Sequence, residues 1–130
     1  MGEYTEASGG ASTAFGNSGK AIGKGSFVCG TKVSGETESK AIGDGSSVFG
    51  ASNIVYSIYA ASFGAENIVG DENAYKNGAY SVAYGVSNKV TTTGMCGFIT
   101  GGNNEITKGT CGTIFGAYNT VNEGYGTAFG

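Results

Sequence analysis

Glycine returns at a seven-residue interval along this chain of 130 residues. Gly2, Gly9, Gly16, Gly23 and Gly30 open the series. It slips by one residue and resumes at Gly43, Gly50, Ser57, Gly64, Asp71, Gly78 and Gly85. A second slip leads to Gly102, Gly109, Gly116, Glu123 and Gly130, so 14 of 17 register slots are glycine. A fixed short period marks a repeat architecture in which each unit packs only on its neighbours. Collagen is excluded, because the chain has no proline and no three-residue period. Disorder is excluded as well: 39% of the residues are hydrophobic and they fall in phase with the glycines.

Within the unit, three or four alternating residues precede each glycine, too few for a repeating helical turn and enough for a short strand. Glycine and asparagine follow, and both suit the left-handed backbone of a corner. Near-copies confirm the unit: Gly50-Ala51-Ser52-Asn53-Ile54-Val55 returns as Gly64-Ala65-Glu66-Asn67-Ile68-Val69. Two strands and two corners make a coil of about 14 residues, and stacked coils make an all-β parallel solenoid, or β-roll. About nine coils at ~4.8 Å each predict a rod of ~40 Å. The register is irregular at 31–38 and 91–105. No helix is expected, since no 3.6-residue apolar period is sustained.

Faces follow from alternation. The residue two before each glycine is small and apolar (Ala14, Ala21, Val28, Ala41, Val48, Val55, Val69, Ala83, Ile114, Val121 and Ala128), which places it inside. The next residue then points outward. A period of 14, carried across the two slips of the register, puts Phe15, Cys29, Ile42, Tyr56, Gly70, Tyr84, Gly101, Phe115 and Phe129 on one half-coil. The other half-coil receives Ile22, Phe49, Phe63, Asn77, Lys108 and Asn122. An outward aromatic row on a thin roll needs a covering surface, and the same row from symmetry-related copies is the simplest one. Phe15, Ile42, Tyr56, Tyr84, Phe115 and Phe129 are therefore the expected axis residues of an obligate oligomer.

Composition narrows the function. A net charge of −3, with 13% charged residues and no arginine or histidine, argues against nucleic acid. No apolar run reaches the ~20 residues needed to span a bilayer, so direct membrane insertion is not expected. The three cysteines cannot all pair within one chain. Cys29 reads as a small buried hydrophobe and the thiols as inert. Without histidine or a C-x-x-C pair no metal site is expected. The phosphate-loop motif is absent, the acids are scattered, and no cofactor or catalytic residue is expected; the chain reads as a non-enzyme. It reads as one repeat domain spanning 1–130, a fragment of a longer fibre.

The runs Thr13-Ala14-Phe15-Gly16, Lys20-Ala21-Ile22-Gly23, Lys40-Ala41-Ile42-Gly43 and Ser81-Val82-Ala83-Tyr84-Gly85 resemble the S-x-A-x-G head repeats of trimeric autotransporter adhesins, the YadA-like family. That resemblance implies a left-handed parallel β-roll, a homotrimer, and display on a Gram-negative outer membrane, facing the exterior. It also implies a host partner: a matrix protein such as collagen, fibronectin or laminin, or a cell-surface glycoprotein such as an immunoglobulin-like adhesion receptor.

The partner-binding candidates come from the residues themselves. Two residues after the glycine lies a corner slot, usually small or polar, which Tyr59, Tyr80 and Tyr118 fill instead. Exposed tyrosine is a favoured interface residue. Phe49 and Phe63, on the half-coil assigned to solvent, would extend an apolar stripe beside Tyr59. Asn53, Asn67, Asn88 and Asn119 read as corner residues that satisfy nearby backbone. The main alternative is a phage tail-fibre segment that binds a bacterial surface. Ice binding fits less well, since Thr91-Thr92-Thr93 is a single cluster and Thr113, Thr120 and Thr127 alternate between halves. A polysaccharide lyase fits least.

Overall fold

A computed structural model describes residues 2–74, 76–91, 95–108, 110–122 and 124–130. The described residues form an all-strand parallel β-solenoid of eight turns, with no helix. Two sheets face each other. The narrow sheet stacks Glu6–Ala7, Gly19–Ala21, Ser39–Ala41, Ile54–Val55, Ile68–Val69, Lys89–Val90, Glu105–Ile106 and Thr120–Val121. The broad sheet stacks Thr13–Gly16, Phe27–Thr31, Ser47–Ala51, Ala61–Ala65, Val82–Val86, Gly97–Gly102, Cys111–Ala117 and Tyr125–Phe129. Eight coils rather than nine put about 34 Å between the first and last strands.

Between the sheets lies a core one side chain thick. Ala21, Ala41, Val55, Val69, Val90 and Ile106 of the narrow sheet meet Ala14, Val28, Val48, Ala83, Ile99 and Ile114 of the broad one. The small apolar slot thus lies inside, as the alternation requires; Ala128 packs on the same cluster from its edge. The glycine one residue from the end of the broad strands Ser47–Ala51 and Val82–Val86 is there for two reasons. Gly50 and Gly85 sit at φ 113° and 127°, where side chains are disfavoured. A Cβ at Gly50 would also overlap the carbonyl oxygen of Gly64, and one at Gly85 that of Gly101.

Asparagine continues the ladder inside. Asn67 Nδ2 donates to Asn53 Oδ1 (3.0 Å) and to the Gly85 carbonyl (2.9 Å), while Asn67 Oδ1 accepts from the backbone N–H and Nδ2 of Asn88 (3.0 Å each). The pattern runs from Asn53 through Asn67, Asn88 and Asn104 to Asn119. These asparagines satisfy backbone groups, but across coils and from inside the roll. The corner residues themselves are their predecessors Ser52, Glu66, Ser87, Asn103 and Tyr118, all at φ between 53° and 59°.

Coil length is not constant, and this corrects the expected period of about 14 with its two short slips. Cys29 pairs with Phe49 and Phe63 with Tyr84, steps of 20 and 21 residues. Tyr84 to Thr100 is 16 and Thr100 to Phe115 is 15. The two long steps are excursions whose described residues are 32–38 and, for the second, 70–74 and 76–80, the second held by an Asp71–Ala74 bridge and by the Ser57 hydroxyl donating to the Asn77 carbonyl. Each adds about half a coil, so each swaps the sheet to which a seven-residue unit belongs. Between them, Ile42, Tyr56 and Gly70 lie on the narrow-sheet side, while Phe49 and Phe63 belong to the broad sheet. Of the 91–105 stretch, Gly97–Gly102 and Glu105–Ile106 are regular strands. The cluster residues Thr92 and Thr93 and the register positions Gly109 and Glu123 lie outside the described residues.

Candidate functional site

The corrected register brings the outward residues of the broad sheet into one file: Phe15, Cys29, Phe49, Phe63, Tyr84, Thr100, Phe115 and Phe129. Phe27 and Phe98 flank it one pleat away. The rings run in contact from Phe15 through Phe27, Phe49 and Phe63 to Tyr84, at centroid separations of 5.0–6.0 Å. Phe98, Phe115 and Phe129 form a second run at 5.7 and 5.3 Å. Parallel in-register pairing produces this stack, since equivalent side chains on adjacent strands lie about 4.8 Å apart. Phe15, Phe49, Tyr84, Phe115 and Phe129 are exposed to solvent, and Phe27 and Phe63 partly so.

No strand of the broad sheet contains Asp, Glu or Lys. Charge lies on the opposite side, where Lys20, Lys40 and Lys89 stand in the narrow sheet. There Lys20 pairs with Glu38 at 2.9 Å, Lys40 with the same carboxylate at 3.9 Å, and Lys89 with Glu105 at 3.2 Å. The hydrogen bond and charge of Glu38 raise the Lys20 pKa. The hydrogen bond from Lys20 outweighs burial and holds Glu38 below the ordinary carboxylate value.

Of the six expected axis residues, Phe15, Tyr84, Phe115 and Phe129 share the aromatic face. Ile42 and Tyr56 do not. Ile42 lines a shallow groove of about 280 Å³ with Ile22, Gly43, Asp44 and Ile58. Burial, followed by the nearby charges of Glu72 and Asp71, raises the Tyr56 pKa. Cys29 is exposed on the aromatic face rather than buried.

The corner tyrosines separate into two places. Tyr59 and Tyr80 occupy successive coils at φ 51° and 57°, their rings stacked 5.6 Å apart and 14° from parallel. Bulky residues rarely adopt this left-handed backbone, which costs on the order of 1 kcal/mol per residue. Both rings are more than half exposed, and Gly45, one coil earlier, leaves room for Tyr59 to lie over its backbone. Tyr118 stands on the opposite corner, 82% exposed. Phe49 and Phe63 stack with each other (5.0 Å), but their file is the broad-sheet one, and the ring partner of Tyr59 is Tyr80.

Among the described residues no group of three or more Cys, Asp or Glu side chains could hold a metal ion. No family model matches the chain, and no curated protein matches it in sequence.

Proposed function

We propose that this chain is the head of a trimeric bacterial surface adhesin, a non-enzymatic module displayed outside the outer membrane. Its partner is a host cell-surface glycoprotein, such as an immunoglobulin-like adhesion receptor, or a matrix protein such as collagen, fibronectin or laminin. The carrying observation is the asymmetry of the roll: one side is an uncharged aromatic file along its whole length, the other is laced with ion pairs. An apolar face of that extent favours burial against like faces. Parallel stacking lets the same file from symmetry-related copies meet around one axis. Three copies, a left-handed roll and the adhesin role come from the S-x-A-x-G resemblance.

On this reading Phe49 and Phe63 join Phe15, Tyr84, Phe115 and Phe129 at the assembly face. Recognition falls to the corners, above all to Tyr59 and Tyr80, whose stacked rings offer apolar area and free hydroxyls together. The test is binding of the trimer to immobilised collagen, fibronectin, laminin and immunoglobulin-like ectodomains. At least one should bind saturably, and the Tyr59→Ala/Tyr80→Ala double variant should weaken that binding about tenfold or more, the scale of an interface hot spot, with the oligomer mass unchanged. Absence of saturable binding to all four classes would overturn the adhesin reading. Unchanged affinity in the double variant would remove the tyrosine corner from it.

A further inference from the structure

Two of the three cysteines are neighbours across the stack. Cys96 immediately precedes the broad-sheet strand Gly97–Gly102, and Cys111 opens the next strand, Cys111–Ala117. The register pairs Gly97 with Gly112, which sets Cys96 beside Cys111 one coil on. The Gly112 N–H donates to the Cys96 carbonyl at 3.3 Å, tying the two backbones at this point. The local step of 15 residues equals the separation of the two cysteines. In-register neighbours lie about 4.8 Å apart, inside the Cα separation of roughly 4.4–6.8 Å that a disulfide bridges. Cys111 Sγ also donates to the carbonyl of Met95, the residue before Cys96, at 3.4 Å.

We infer that Cys96 and Cys111 form a reversible disulfide that staples the sixth and seventh coils of the roll together, with Cys29 left as the unpaired thiol. The inference is independent of the adhesin reading. Cys96 is exposed, so it meets an external oxidant first; Cys111 is half-buried. Burial, then the charge and hydrogen bond of the Cys96 thiol, raise the Cys111 pKa, which makes Cys111 the poorer first nucleophile. The oxidant is a low-molecular-weight disulfide. The Cys96 thiolate attacks one of its sulfurs, forms a mixed disulfide and expels one thiolate. Cys111 then loses its proton and attacks Cys96 Sγ, expelling the second thiolate. Two protein thiols and one small disulfide become one protein disulfide and two small thiols.

The staple also bears on the tyrosine corner. Tyr59, Tyr80 and Cys96 are successive residues of one rank, their N–H groups donating to the Asp44, Ile58 and Ala79 carbonyls of the preceding coils (2.9, 3.3 and 2.9 Å). All three have positive φ. Oxidation therefore fixes the coil next to the Tyr59–Tyr80 stack.

The experiment incubates the native full chain with oxidised glutathione, blocks remaining thiols with iodoacetamide, and maps the digested peptides by mass. The expected product is a Cys96–Cys111 cross-linked peptide pair lighter by two hydrogen masses and dissolved by dithiothreitol, with Cys29 outside any cross-link. Cys111→Ser should arrest the reaction at a glutathione adduct on Cys96. Recovery of both Cys96 and Cys111 as alkylated thiols, or a cross-link joining either one to Cys29, would overturn the inference. A glutathione adduct on Cys111 in Cys96→Ser, with none on Cys96 in Cys111→Ser, would overturn the assigned order.

Discussion

Asn67 sits in the middle of the buried asparagine ladder, and its removal can be costed bond by bond. Truncation to alanine takes the acceptor from the Asn88 N–H and the side-chain donor from the Phe63 and Gly85 carbonyls. Asn53 Oδ1 keeps the Ser62 hydroxyl and the residue-67 N–H, and Asn88 Nδ2 keeps the Gly101 carbonyl. Three polar groups thus lose a partner, at about 1–3 kcal/mol for each buried group. The Phe63 and Gly85 positions are partly open to solvent, which puts the expected loss in the lower part of that range, about 3–5 kcal/mol in total. Asn67→Asp keeps the shape but turns the donor into an acceptor facing Asn53 Oδ1 and the Phe63 and Gly85 carbonyls. At neutral pH it should cost more than alanine. The introduced carboxyl has its folded-state pKa raised, so its penalty grows as pH rises above the unfolded value near ~4 and recedes in acid. Asn119→Ala, at the last rung, should cost less, because the groups it serves are partly exposed. The assay is urea unfolding followed by circular dichroism, all variants at one protein concentration. If Asn67→Ala falls within about 0.5 kcal/mol of the exposed control Thr120→Ala, the scale of neutral surface changes, the ladder is not a source of stability and the reasoning fails.

Other outcomes follow from the same geometry. Gly85→Ala should destabilise the roll more than Gly102→Ala, since only the former is at positive φ with the next coil's carbonyl in the way of a Cβ; equal melting temperatures would contradict this. Phe63→Asp puts a charge in the middle of the aromatic file and should reduce the oligomer to smaller species in light scattering, while Ile42→Asp, on the other side, should leave the mass unchanged. Cys29, in the same file, should react with maleimide much more slowly in the native oligomer than after unfolding; a native rate equal to that of Cys96 would argue that the face is open. The Lys20–Glu38 contribution should be present between the two shifted pKa values. It is lost as pH falls through the lowered Glu38 value and again as pH rises through the raised Lys20 value, so Glu38→Gln should flatten the acid side of the stability profile.

Much of this molecule is written in the sequence because a solenoid repeats its chemistry. The glycine register, the small inward slot and the corner position of Tyr59, Tyr80 and Tyr118 are all local, and local spacing carried them. What spacing could not carry was sheet membership between residues 31 and 80. An excursion of half a coil keeps glycine nearly in phase while moving every later side chain to the other sheet. Phe49 and Phe63 were thereby separated from Phe15, and Ile42 and Tyr56 joined to it. Two non-glycine slots marked the second excursion: Ser57, whose hydroxyl anchors it, and Asp71, whose carboxylate accepts from the Asn73 N–H at 2.8 Å. The continuity of aromatic type from Phe27 to Tyr84 was a further signal, since stacked rings favour one face. The exposure of Cys29 followed from the outward slot it occupies; its small size pointed the other way. The Cys96–Cys111 pairing depended on a coil of 15 residues, which a period of 14 does not bring into register.

Burial of the uncharged aromatic face against copies of the same chain fixes the mass of the particle in solution. The most direct measurement is the solution mass of the reduced protein by light scattering. A single species of three times the 12.9 kDa chain mass is expected. A monodisperse species of 12.9 kDa would contradict it, because the Phe15-to-Phe129 file would then stand in water along the whole roll.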